Sequence, residues 1–178
     1  MNGEHRIVKP VALGVLFVLW GGILFSSHAA AQEESAGPEA VVRQLYDLVT
    51  FDAGERPDWA QVRDTFLDQA VVVLRTSRDS TSVFSLEGFV EDFIRFIDGT
   101  KVKEVGFEEK IVRMHSVVFG DMASILVLYE AHIPGSPRPP QQGVDSVLLS
   151  RRSEGWKIVA ITNEIPTSER PLPAELRE

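Results

Sequence analysis

The stretch Val105–Ile165, VGFEEKIVRMHSVVFGDMASILVLYEAHIPGSPRPPQQGVDSVLLSRRSEGWKIVAITNEI, decides how this chain is read. Val105 to Val118 is rich in β-branched residues and runs into Gly120-Asp121. That dipeptide suits a two-residue hairpin turn. Asp121 to Ile133 returns, and a stiff connector, Pro134 to Pro140, leads to Gly143–Arg152. These read as three long strands, the last turning at Ser153-Glu154-Gly155 into Trp156–Ile165. The connections are short, so the sheet is an antiparallel meander.

Working back from the strands, the front half reads as helices. Pro38 suits a first helical turn. In Glu39–Phe51, Val41, Leu45, Leu48 and Val49 recur at helical spacing. Asp58 is a candidate N-cap for a shorter helix with Trp59, Val62 and Phe66 on its buried side. Ala70–Leu74 is a short β-branched run, the first strand, and Thr76–Ser82 is a polar loop. Ser85 then caps a third helix striped by Leu86, Phe89, Val90, Phe93, Ile94 and Ile97, with Gly99 as its stop. The class is α+β, in the order helix, helix, strand, helix, three long strands. Residues 38–165 form the domain, 32–37 a spacer, and 166–178 an extended, peripheral Pro-rich tail.

The segment before the domain has its own signature. Arg6 and Lys9 precede an apolar run from Val11 to Phe25, and Ala29-Ala30-Ala31 follows. This is the layout of a signal peptide over 1–31, which predicts export to the periplasm or the medium. The competing reading is an uncleaved membrane anchor, since no Asp, Glu, Lys or Arg lies between Lys9 and Glu33. The chain has no cysteine. That excludes disulfides, thiolate chemistry and a lipid-modified N-terminal Cys, so the fold must stand on its core.

Net charge is −8 for the chain. Without residues 1–31 (which hold Arg6, Lys9 and Glu4) 16 basic and 25 acidic residues remain, or −9. No basic cluster offsets this, so neither nucleic acid nor, after cleavage, a membrane surface is an expected partner.

A two-residue turn pairs Phe119 with Met122, and so places Glu109 opposite His132, Ile111 opposite Glu130 and Arg113 opposite Leu128. Alternation then gives one face to Val112, Met114, Val118, Ala123, Ile125, Val127, Tyr129 and Ile133, which should hold the helices. The other face mixes Glu109, Arg113, His115, Ser124, Glu130 and His132 with Leu126 and Leu128.

Helix, short helix, strand, helix and a long curved antiparallel sheet resembles the NTF2-like superfamily, which includes ketosteroid isomerases and SnoaL-like polyketide cyclases. The stretches that carry the resemblance are Pro57-Asp58-Trp59 through Phe66, Gly106-Phe107 with Glu109, Gly120-Asp121-Met122-Ala123 through Tyr129-Glu130, and Gly143-Val144-Asp145-Ser146 through Gly155-Trp156-Lys157-Ile158-Val159 to Asn163-Glu164. It covers about residues 38 to 174. The resemblance implies a pocket between the helices and a concave sheet, and often a homodimer through the sheet. It supplies no catalytic motif for this chain.

The residues themselves hold no dinucleotide, phosphate-loop, nucleophile-elbow or zinc-protease motif. Two histidines in one segment do not make a metal site, so neither a metal nor a cofactor is expected. Glu109, Glu130 and His132 are the candidate catalytic group, since a carboxylate beside an imidazole tunes proton transfer. The plain alternative is a solvated face with charges paired across strands. Trp59, Tyr129, Trp156 and Asn163 are candidate ligand-binding residues, each also explicable as core or rim. Asp145, Asn163 and Glu164 fall near strand ends, where the default is rim exposure. The function expected is non-catalytic binding of a small apolar molecule or protein association. The alternative is an acid–base isomerase, dehydratase or cyclase, which requires Glu130 and His132 to point into the cavity.

Overall fold

The computed structural model describes residues 37–77 and 79–177, so the signal-peptide reading lies outside the described residues. Helix α1 (Pro38–Val49) is followed by α2 (Trp59–Asp64), strands β1 (Phe66–Ser77) and β2 (Ser80–Ser85), and helices α3 (Leu86–Gly99) and α4 (Val102–Val105). Strands β3 (Glu108–Phe119), β4 (Met122–His132), β5 (Gln141–Arg152) and β6 (Gly155–Glu164) complete the domain, and a 3-10 turn, Ala174–Leu176, ends it. One six-stranded sheet results, in the order β2-β1-β6-β5-β4-β3. All neighbours are antiparallel except β1 and β6, which run parallel.

The helix signals act as expected. Asp58 accepts hydrogen bonds from the amides of Ala60 and Gln61 at 3.0 and 3.2 Å. Ser85 Oγ accepts from Gly88 N at 3.2 Å. Each satisfies amides that a helix start leaves unpaired. Helix α1 buries Val42, Leu45, Tyr46 and Val49, a stripe turned slightly from the one expected around Val41 and Leu48.

Four corrections concern the strands. The last third holds four strands, because the turn at Ser153–Gly155 makes Trp156–Ile165 a separate partner of β5. The polar loop expected at Thr76–Ser82 is instead the tip of the β1–β2 hairpin. The hydroxyls of Thr76, Ser77, Ser80 and Ser82 bond to one another there, so polarity marks an edge strand in water rather than a loop. Phe66 opens β1 rather than closing α2. Val105 belongs to the short helix α4, and Gly106 (φ +90) turns the chain into β3. A Cβ at Gly106 would lie 2.7 Å from the carbonyl oxygen of Phe51, which bonds the amide of Phe107 at 2.9 Å.

The helices pack on the concave face of the sheet. Val42, Val62, Val72, Val90, Ile125, Val127, Val147 and Ile158, all essentially inaccessible, form the centre of the core. A second cluster, Phe51, Ile97, Val102 and Phe107, plugs one end. The C-terminal tail is not peripheral: Ala174–Leu176 packs on β3 and β4, and Leu176 is 2% exposed. This accounts for a buried Leu128 on the face turned away from the helices. Elsewhere that outer face leaves Val117, Phe119, Met122 and Leu148 exposed.

Candidate functional site

Pairing of β3 with β4 follows the expected register from the turn as far as Arg113 opposite Leu128, and then slips by one. Ile111 pairs with Tyr129, so Val112 is an extra, bulged residue, 47% exposed. A bulge leaves one residue unpaired and resets which side the following residues take. Glu109 therefore lies opposite Ala131, on the inward face with Ile111 and Met114, and Glu108 takes its place opposite His132. Val112 itself is not on the core face. Val118 keeps its inward side but is 52% exposed at the hairpin end.

A second bulge acts in the same way on β6. Leu148 pairs with Ala160 and Leu149 with Ile158, which leaves Val159 unpaired and 37% exposed. Trp156 and Ile158 face inward before it, and Ile161 and Asn163 after it. Without the extra residue Asn163 would point to solvent.

Between helices and sheet is a cavity of about 380 Å³. Its walls are apolar and aromatic: Val72, Leu74, Phe89, Phe93, Phe96, Phe107, Ile161 and Ile165. Tyr46, Glu109, Tyr129, Asp145 and Asn163 also line it and bring its polar groups together. Tyr46 donates from α1 to Asp145 Oδ2 at 2.7 Å. Asn163 Nδ2 donates to Asp145 Oδ1 at 2.7 Å and to the Tyr129 hydroxyl at 2.9 Å. The Tyr129 ring lies over Gly143, its cross-strand partner, where a Cβ would come within 2.3 Å of the ring. Glycine is required there for space rather than for backbone freedom.

Glu109 is held by its backbone. Its amide donates to Thr50 Oγ1 at 2.9 Å, and Thr50 Oγ1 donates back to its carbonyl at 3.2 Å. Its carboxyl, by contrast, has no hydrogen-bond partner among the described residues. Burial, and then the neighbouring Asp145, push its pKa up to about 8. Burial also lifts Asp145, but the bonds from Asn163 and Tyr46 oppose it and the value is about 6. Both tyrosines are pushed up, chiefly by burial and next by Asp145. Asp145 thus gives up its proton at lower pH than Glu109, in a cavity that also holds two phenols. Two carboxyls set apart in this way are the ordinary arrangement for an acid and a base in one pocket.

The candidates taken from sequence separate. Glu109, Tyr129 and Asn163 line the cavity. Glu130 and His132 do not: Glu130 lies opposite Lys110 and accepts a bond from Gln142 at 3.2 Å on the outer face, which His132 shares by alternation. The grouping of Glu109 with Glu130 and His132 therefore fails, because the bulge at Val112 sends Glu109 to the opposite face. Trp59 packs edge-on against Phe93 at 5.6 Å between the two core clusters. Trp156 is 7% exposed in the main core, with the Arg151 guanidinium 5.6 Å from its ring. Neither tryptophan lines the cavity. Tyr46 and Asp145 were missed as site residues. A hydroxyl within the apolar stripe of α1, and an acid in the inward row Gly143-Asp145-Val147-Leu149, were the available signals.

Among the described residues, no group of three or more His, Asp or Glu is placed to hold a metal ion, and no helix is long and apolar enough to cross a membrane.

No protein-family model matches this sequence, and no curated protein matches it. Solved structures do match. An NTF2-like protein of unknown function from Pseudomonas putida aligns over 85% of this chain and 99% of its own, with a TM-score of 0.59 at 12% identity. An NTF2-like protein with a cystatin-like fold from Novosphingobium aromaticivorans aligns over 89% and 100%, with a TM-score of 0.59 at 15% identity. A protein from the same organism, described as a suspected aromatic ring hydroxylase, aligns over 77% and 91%, with a TM-score of 0.58 at 18% identity. At these identities the likeness establishes the fold: this is an NTF2-like α+β cone.

Proposed function

We propose that this NTF2-like domain binds a small, largely apolar molecule between its helices and its sheet, with the polar end of the ligand at Glu109. The observation that carries the reading is an aromatic-walled cavity of about 380 Å³ containing a carboxyl with no hydrogen-bond partner among the described residues. That volume lies at the lower end of the ~300–1,000 Å³ usual for ligand pockets, which are mostly apolar with a few placed polar groups. Glu109 is half-buried and lines the cavity, where a ligand able to bond its carboxyl gains a charge-assisted hydrogen bond. Thermal-shift screening of compact apolar compounds tests the proposal, with the cavity-filling variant Ile161→Trp as control. Compounds should raise the melting temperature of the parent and not of the variant. Equal effects on both, or none on either, would overturn it.

Glu130 and His132 lie outside the cavity, so the enzyme reading built on them falls; a second reading replaces them with Asp145, bonded by Tyr46 and Asn163, and Glu109 in the same cavity, pushed up to about 6 and about 8. In it the domain is an acid–base isomerase, dehydratase or cyclase, with Asp145 as base, held by Tyr46 and Asn163, and Glu109 as acid. Proton–deuterium exchange into an enolisable ketone, followed by NMR, measures this directly. Exchange should exceed the buffer rate and be lost in Asp145→Asn; exchange at the buffer rate sinks the idea.

A further inference from the structure

The charges along the cavity are lopsided. Asp145 and Glu109 lie inside, and among the described lining residues Arg75 alone is basic. The one basic lining residue, Arg75, holds Glu164, with Nε 2.9 Å from Oε1. Asp92 from α3 also lines the cavity and pairs with Arg95 at 3.0 Å. Six aromatic rings line the same space: Tyr46, Phe89, Phe93, Phe96, Phe107 and Tyr129. Ring faces attract cations, and a carboxylate in an apolar enclosure attracts an ammonium strongly. A carboxylate ligand would instead add a further negative charge beside Asp145, and the cation lining the cavity, Arg75, is already bonded to Glu164.

From this geometry we infer that the ligand is a hydrophobic primary amine, whose ammonium group is held by Glu109 among the aromatic rings. The inference rests on the binding role proposed above and adds the charge of the ligand to it. An ammonium supplies the donors that Glu109 lacks, and it sits in the field of Asp145, which already bears on Glu109. The other groups facing Glu109 act consistently: Tyr46 from α1 and Tyr129 from β4 stay neutral, and Asn163 from β6 is committed to Asp145 and Tyr129. Because Glu109 is protonated below about pH 8, it must release its proton as the ammonium binds. Binding therefore strengthens as pH rises towards 8, while the amine itself stays charged to about pH 10.

Isothermal titration calorimetry of the purified protein with 2-phenylethylamine, 2-phenylethanol and 3-phenylpropanoate, at pH 6 to 9, tests this. The amine should bind about tenfold or more tightly than the alcohol at pH 8, with proton release visible as a dependence on buffer ionisation enthalpy. Its affinity should rise at least about tenfold from pH 6 to 8. Glu109→Gln should abolish the preference for the amine while the alcohol still binds, which also shows that the variant folds. Equal or tighter binding of the alcohol or the carboxylate overturns the amine and leaves the binding role standing. Binding of none of the three overturns both.

Discussion

At the scale of single residues, Glu109 is the most consequential side chain. Its folded pKa, about 8, lies above the ordinary value of 4.5. A carboxyl raised in this way favours the folded state fully below about pH 4.5, and that advantage is lost as pH rises through 8. Asp145, raised to about 6, adds a loss between roughly pH 4 and 6. Urea denaturation across pH should therefore show stability falling by several kcal/mol from pH 4.5 to 8. Glu109→Gln should flatten the upper part of that fall, and a variant that keeps the parent's slope would refute the assignment. Gly143 is the second such residue. Gly143→Ala puts a methyl into the Tyr129 ring, so the ring must swing away and surrender its bond from Asn163. The expected cost is about 1–3 kcal/mol, read by urea denaturation, together with a shift in the tyrosine signals by NMR.

At the scale of elements, local signals and long-range pairing divide the work. The N-caps at Asp58 and Ser85 are local, and they were legible in the sequence because a cap needs only its own next three residues. Ser85→Ala should cost about 1 kcal/mol, measured by thermal or chemical denaturation, by freeing the amide of Gly88. No change in stability would mean that water replaces the cap without loss. The bulges at Val112 and Val159 are the opposite case. Both residues are β-branched and sit in runs that read as regular strands, so nothing local marks them. They are produced by the need to bend a sheet around the helices, and each decides on which face a polar residue emerges: Glu109 after one, Asn163 after the other.

At the scale of the whole molecule, the sheet is covered on both faces, by the helices on the concave side and in part by the C-terminal turn on the other. Leu176 is 2% exposed although it lies two residues from the end of the chain. Leu176→Ala should therefore cost about 2–4 kcal/mol, as for a core leucine, and should lower the urea midpoint. A change within about 0.5 kcal/mol, as for surface substitutions, would show that the turn is not bound in solution. The bond and ion pair of Arg170 with Glu164, which itself holds Arg75 at the cavity, tie this tail to the site. Tail and pocket thus share one ion network.

The sequence by itself determined the α+β class, the three main helices, the hairpin turn at Gly120-Asp121 and the apolar rows of β4. These follow from periodicity and turn chemistry, which are properties of neighbours along the chain. It also put Glu109, Tyr129 and Asn163 among its candidates, though with Glu109 on the wrong face and beside the wrong partners. Only the tertiary structure decided that Glu109 meets Asp145, Tyr46 and Asn163 rather than Glu130 and His132. The physical reason is parity: the side chains of a strand alternate, so one inserted residue reverses every later side, and where that residue falls is set by the curvature of the assembled sheet.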